Sequence, residues 1–184
     1  GNILLFEPQQ KELKQHVKLA ADRLLEWMKP NGQWEVAYEN KTLKPTFTDI
    51  TDLRPTFYGL LIAYEILKDK KYLQAAIQGA DWYVENAVKK GHFLGVCGDT
   101  RFVPDFATAQ SAQALLELYN VTKNEKYKEA AISTAKIYTA SVYTHPIPTS
   151  VVKQVKGIER KDWEISQVGL SFEHGGVAGS NIIG

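Results

Sequence analysis

Apolar and small residues recur at intervals of three and four through most of the chain, the spacing of a helix with one buried face. Leu13, Val17, Ala20, Ala21, Leu24 and Trp27 predict a helix over 9–28, which Pro30, Asn31 and Gly32 bring to a stop. Similar patterns predict helices over 52–68, 72–89, 106–122 and 126–143. Between them lie short polar turns at Asp69–Lys71 and at Asn124, and long irregular connections over 33–50 and 91–104. His145–Pro146 and Pro148 break the last helix, and 149–170 read as loop or weak strand. The order is helix, short turn, helix, long connection, repeated. Short turns make antiparallel helix pairs.

The pairs are copies of one another. Leu60–Tyr83 aligns without a gap on Leu115–Tyr138, 55 residues later, with 11 of 24 positions identical. A fainter copy lies upstream, where Ala20, Ala21 and Trp27 fall on Ala75, Ala76 and Trp82. A period of this length marks one supersecondary unit used several times, each unit burying its apolar face on its neighbours. Ala75, Ala76 and Ala80, with Ala130, Ala131 and Ala135, allow close helix approach. Trp27 and Trp82 are expected in the core, and Tyr64, Tyr72, Tyr119, Tyr127 and Tyr138 in packing between repeats.

Length and charge narrow the functional classes. At 184 residues and 20.7 kDa the chain is of single-domain size, 1–184. A net charge of +1 with dispersed basic residues gives no electrostatic case for nucleic acid or an anionic membrane surface. No apolar run reaches the roughly 20 residues that a membrane span needs. The single Cys97 excludes an internal disulfide and leaves the compartment open. There is no phosphate loop, dinucleotide fingerprint, H-E-x-x-H or C-x-x-C, so no cofactor and no metal are expected.

The hairpin signature L-x-x-x-Y-x-x-x-K-x-x-K-Y-x-x-A-A, beginning at Leu60 and again at Leu115, resembles the α/α toroid. That is the six-hairpin architecture of many carbohydrate-active enzymes. The segment F-E-H-G-G-V-A-G-S, starting at Phe172, is similar to one in six-hairpin glycosidase-like proteins of polysaccharide-degrading bacteria. The resemblance implies an all-α fold of repeated antiparallel hairpins. A full ring at this repeat length needs about 330 residues, so about three hairpins, an incomplete toroid ending abruptly at Gly184, are expected. Exposed edges then imply self-association. The resemblance also implies a carbohydrate substrate and an exported, periplasmic or extracellular location.

In such a ring the long connections open on one side, and their ends carry acids: Asp49 and Asp52 in F-T-D-I-T-D, Asp105 in V-P-D-F-A-T, and Glu173 with His174 in S-F-E-H-G-G. Glycoside hydrolysis needs one carboxyl group to protonate the leaving oxygen and a second to activate water or attack the sugar. Glu173 and Asp105 are the expected pair, with Asp49 or Asp52 the nearest substitute. His174, Arg101, Trp34 and Trp163 are expected to line the sugar site, the tryptophans by stacking on sugar faces. Each acid has a plainer reading, because an Asp before a helix usually caps it, and either tryptophan can be a buried loop anchor. Lone Cys97 is a weak nucleophile candidate. Two rival functions fit the same architecture. A non-catalytic repeat module binding carbohydrate or protein needs no convergent carboxyl pair. A polysaccharide lyase or sugar epimerase draws on groups such as His174, Arg54, Arg101 and Tyr58, but an epimerase wants paired histidines.

Overall fold

The computed structural model describes residues 3–4, 7–95, 104–142, 152–161, 170–172 and 181–183. Its helices follow the periodic pattern: α1 Lys11–Trp27, α2 Phe57–Leu67, α3 Lys70–Tyr83, α4 Phe106–Thr122 and α5 Glu125–Ala140. α3 runs on into a π-helical segment, Val84–Val88. Three antiparallel two-stranded ribbons decorate the helices. They pair β1 Ala37–Tyr38 with β2 Pro45–Thr46, β3 Val152–Val155 with β4 Ile158–Lys161, and β5 Leu170–Phe172 with β6 Asn181–Ile183. The all-α expectation holds with these small additions. They fall in connections that the sequence leaves irregular, where no helical period competes with local pairing.

The two short turns are the same turn. Lys68 and Lys123 both take the left-handed conformation (φ 59° and 58°), and their N–H groups donate to the carbonyls of Tyr64 and Tyr119, each at 2.7 Å. The next residue, Asp69 or Asn124, caps the following helix by accepting from the N–H of Lys71 (3.0 Å) or Lys126 (3.2 Å). Left-handed backbone costs a non-glycine residue about 1–2 kcal/mol. Each lysine recovers part of that by placing its ammonium over the tyrosine four residues earlier, at 5.9 and 5.7 Å.

α2 starts five residues later than the apolar pattern suggests. Pro55 disfavours helical backbone at Arg54, so 52–56 form a turn. α4 has no such proline and begins directly after Asp105.

The helices form two rows. α2 and α4 lie in one, α1, α3 and α5 in the other, and the core between them is built of Phe57, Leu60, Leu61, Tyr72, Tyr83, Leu115, Leu118 and Tyr127. Trp27 and Trp82 are half-buried at the edge of that core instead of inside it, and Trp27 stacks on Tyr38 with ring centroids 4.1 Å apart. Ala75, Ala76, Ala80, Ala130 and Ala131 are buried, but Ala135 is exposed on the far face of α5.

Along the outer row each helix grips the next through one carboxylate. Asp22 on α1 accepts from Lys71 Nζ (2.8 Å) and Tyr72 Oη (2.7 Å). Asp81 on α3 accepts from Lys126 Nζ and Tyr127 Oη, both at 2.6 Å. Lys18, then Lys71 and Tyr72, hold the Asp22 carboxyl below the usual carboxylate range. Because that pKa is lower folded than unfolded, its contribution is complete above the ordinary aspartate value and is lost as pH falls below it. Tyr127 is buried, so Asp81→Ala leaves a buried hydroxyl without its acceptor. A loss of about 1–3 kcal/mol is expected, read as a lower denaturant midpoint. Lys128→Ala, which removes an exposed pair with Glu125, is the control and is expected to cost under about 1 kcal/mol.

Candidate active site

Antiparallel pairing puts the C-terminal end of α3 beside the N-terminal ends of α2 and α4. The long connections therefore meet at one end. The N–H of Leu94, in the connection after α3, donates to the carbonyl of Leu53, in the connection before α2, at 3.4 Å.

Two carboxylates are buried at this end, Asp52 (4% exposed) and Asp105 (0%). Asp52 Oδ1 accepts from Arg54 Nε at 2.7 Å, and its Oδ2 accepts from Thr56 Oγ1 at 2.9 Å. Arg54 also donates through its Nη2 to the Val36 carbonyl at 2.6 Å, fastening the segment before β1 to the start of α2. Asp105 caps α4. Its Oδ1 accepts from the Ala107 N–H at 2.8 Å, and Thr108 Oγ1 accepts from the Asp105 N–H at 3.3 Å, a reciprocal capping box.

Tyr83 is anchored beside the start of α4. It is buried, and its hydroxyl donates to Ser111 Oγ at 2.6 Å, which in turn donates to the Ala107 carbonyl at 2.7 Å. Burial first, and then the charges of Asp52 and Asp105, push the Tyr83 phenol well above its ordinary range. Its hydroxyl serves as a donor to Ser111. Lower on the same helix row, Gln113 Nε2 bridges Tyr58 Oη (3.3 Å) and Glu117 Oε1 (2.9 Å).

Asp49 stands apart. It lines a cavity of about 290 Å³ with Thr51, Asn86, Lys90 and His92, between the loop before α2 and the end of α3. Asp49 and Asp105, 56 residues apart, are one position out of the 55-residue register. The late start of α2 leaves Asp52 as the buried carboxylate of the turn before that helix. The Trp34 indole is 5% exposed, donates through Nε1 to the Leu24 carbonyl at 2.8 Å, and lies against Gly79 and Phe57. The enclosed, hydrogen-bonded indole fits the loop-anchor reading of this tryptophan. Arg101, Trp163, Glu173, His174 and Cys97 lie outside the described residues.

The sequence reading does not single out Tyr83, Ser111, Thr56 or His92 as site groups. Tyr83 carried only the signal of its repeat partner Tyr138. Among the described residues no group of three His, Cys, Asp or Glu is placed to hold a metal ion, and no helix is long and apolar enough to cross a membrane.

The model of Glycosyl Hydrolase Family 88 matches residues 54–158, from the Arg54 turn through α2–α5 to the start of β4. No curated protein matches the chain. The match spans more than half of the 184 residues and takes in both complete hairpins, the π segment and Asp105. With its paired helices of α/α-toroid type and its acids gathered at one end, the chain belongs to Glycosyl Hydrolase Family 88.

Proposed function

We propose that this chain is a glycoside hydrolase acting on oligo- or polysaccharide by carboxyl acid–base chemistry. Asp105 is one of the two carboxyl groups. Asp52, buried at the same end, is the second, ahead of Glu173. One protonates the glycosidic oxygen, and the other activates water or attacks the anomeric carbon. The observation that supports this most is the burial of Asp52 and Asp105 just before α2 and at the start of α4, at the end where Leu94 and Leu53 bring the long connections together. The N-terminus of α4 adds orphan N–H groups and a positive dipole end beside Asp105.

A second reading has one observation in its favour. Asp105 is fully buried and engaged as a cap, as expected of a non-catalytic repeat module that binds saccharide without cleaving it. The test incubates the protein with neutral and uronate-bearing oligosaccharides and follows new reducing ends and product anomers by NMR. New reducing ends are expected. Binding without cleavage across both classes overturns the hydrolase reading in favour of the module.

A further inference from the structure

We propose that the cavity holding Asp49 is an accessory sugar subsite, which grips a residue of the saccharide away from the bond that is cleaved. It rests on the glycoside hydrolase reading for its place in the reaction, but its binding chemistry stands on the cavity itself. The volume, about 290 Å³, lies at the small end of ligand pockets and suits one sugar ring.

The lining has two characters. Its floor is apolar, with Phe93 and Leu94 both buried. Its rim carries Asp49, Thr51, Asn86, Lys90 and His92. A pyranose has the same division, an apolar face of C–H groups edged by hydroxyls that both donate and accept. An acceptor-only carboxylate beside a donor-only ammonium, with an amide and a hydroxyl that do both, meets that mixture. A simple anion would want donors alone, and Asp49 counts against it.

The wall is held in place. Asn86 Nδ2 donates to the Trp82 carbonyl at 2.9 Å, and Lys90 Nζ donates to Asn86 Oδ1 at 3.1 Å. Asn86 belongs to the π segment, and the widened pattern continues past it, with Lys89 N–H on the Val84 carbonyl and His92 N–H on the Ala87 carbonyl, both at 3.0 Å. π turns are rare and are frequent at functional sites. On the opposite side, the Ile50 N–H donates to the Phe47 carbonyl at 3.0 Å, closing the turn that carries Asp49. Phe47 holds left-handed backbone (φ 55°) with its ring 61% exposed, a strained placement for an aromatic residue that leaves the ring open for stacking on a neighbouring sugar. The Leu94–Leu53 hydrogen bond joins the floor of this cavity to the residue that follows Asp52.

The test has a binding arm and a kinetic arm. Protein labelled at its histidines is titrated with cellohexaose and with hexagalacturonate, and the His92 imidazole is followed by NMR, assigned through His92→Asn. A saturable shift with at least one hexasaccharide is expected, weakened about tenfold or more in Asn86→Ala and in Lys90→Ala, with the thermal midpoint recorded for each. If neither hexasaccharide moves His92, the subsite is overturned. In the kinetic arm, kcat/KM is measured from di- to hexasaccharide. The wild-type advantage of the longer chain is expected to vanish in Asn86→Ala, while the shortest substrate is cleaved as before. Cleavage whose length dependence both variants preserve overturns the subsite and leaves the hydrolase reading intact. A His92 shift without any cleavage supports the subsite and removes the hydrolase reading.

Discussion

Asp105→Asn is expected to lower kcat by about 10²- to 10⁴-fold, the usual range for removing a positioned acid or base, with KM nearly unchanged. Asparagine keeps the shape and one carbonyl oxygen, and asparagine and aspartate are near equals at an N-cap. The hydrogen bond from the Ala107 N–H is thus retained, and the fold is expected to hold. Asp105→Ala separates nothing, because it also removes the cap and costs about 0.5–2 kcal/mol. Asp52→Asn is expected to show a comparable loss of kcat and a larger loss of stability. Asp52 is buried while Arg54 is a quarter exposed. Stripping one partner from a buried ion pair costs about 3–5 kcal/mol, and the partial exposure of Arg54 puts this case at the lower end. Steady-state kinetics with thermal unfolding of each variant decides the matter. Glu173→Gln belongs in the same series. Unchanged turnover in Asp105→Asn leaves Asp105 with its capping role alone.

These tests single out Asp52 with Asp105, a pairing the sequence half reveals. Helix identity was legible because the 55-residue repeat states it twice. Residues 60–83 and 115–138 share turn, cap and buried tyrosine, and the structure reproduces the turn at Lys68 and Lys123 almost degree for degree. What the repeat hides is where the copies differ. Pro55 delays α2, so the positions equivalent by count, Asp49 and Pro104, are not equivalent in space. The buried carboxylate before α2 is Asp52. Tyr83 and Ser111 were invisible as site residues because their meeting depends on α3 crossing α4, and neither residue carries a local signal for it. The π segment also leaves no mark in the pattern, since Val84–Val88 closes the helix and too few residues follow it to show a change of phase. Exposed Ala135, against buried Ala80, shows the limit from the other side. Identical residues at repeat-equivalent positions differ in burial because α5 follows α3 in its row, held at Asp81, whereas no helix among the described residues follows α5.

Gly79→Ala is expected to destabilise the protein, although it replaces the poorer helix former with the best one. The propensity gain is about 1 kcal/mol. Against it stands steric overlap, since a Cβ at Gly79 would lie 2.7 Å from Trp34 Cη2 and Cζ3, and 3.0 Å from Phe57 Cβ. Neither neighbour is a flexible chain end. Trp34 is pinned through its Nε1 to the Leu24 carbonyl, and Phe57 begins α2. Overpacking of this kind costs about 1–3 kcal/mol, and two rigid contacts at once place it high in that range, so a net loss of about 1–2 kcal/mol is expected. For a chain of this size that lowers the thermal midpoint by about 2–4 °C per kcal/mol. Gly79→Val is expected to do more. The cause is checked by a double-mutant cycle with Trp34→Leu. Trimming the indole removes the overlap, so Gly79→Ala becomes neutral or stabilising in that background. If it stays equally harmful there, Trp34 is not what the glycine accommodates. Trp34→Ala alone is expected to cost about 3–5 kcal/mol, the range for losing a buried aromatic. A tryptophan serving chiefly as a sugar platform would instead raise KM and leave stability near wild type. The two readouts therefore assign Trp34 to the joint between α1, α2 and α3, on whose fixed geometry the positions of Asp52 and Tyr83 depend.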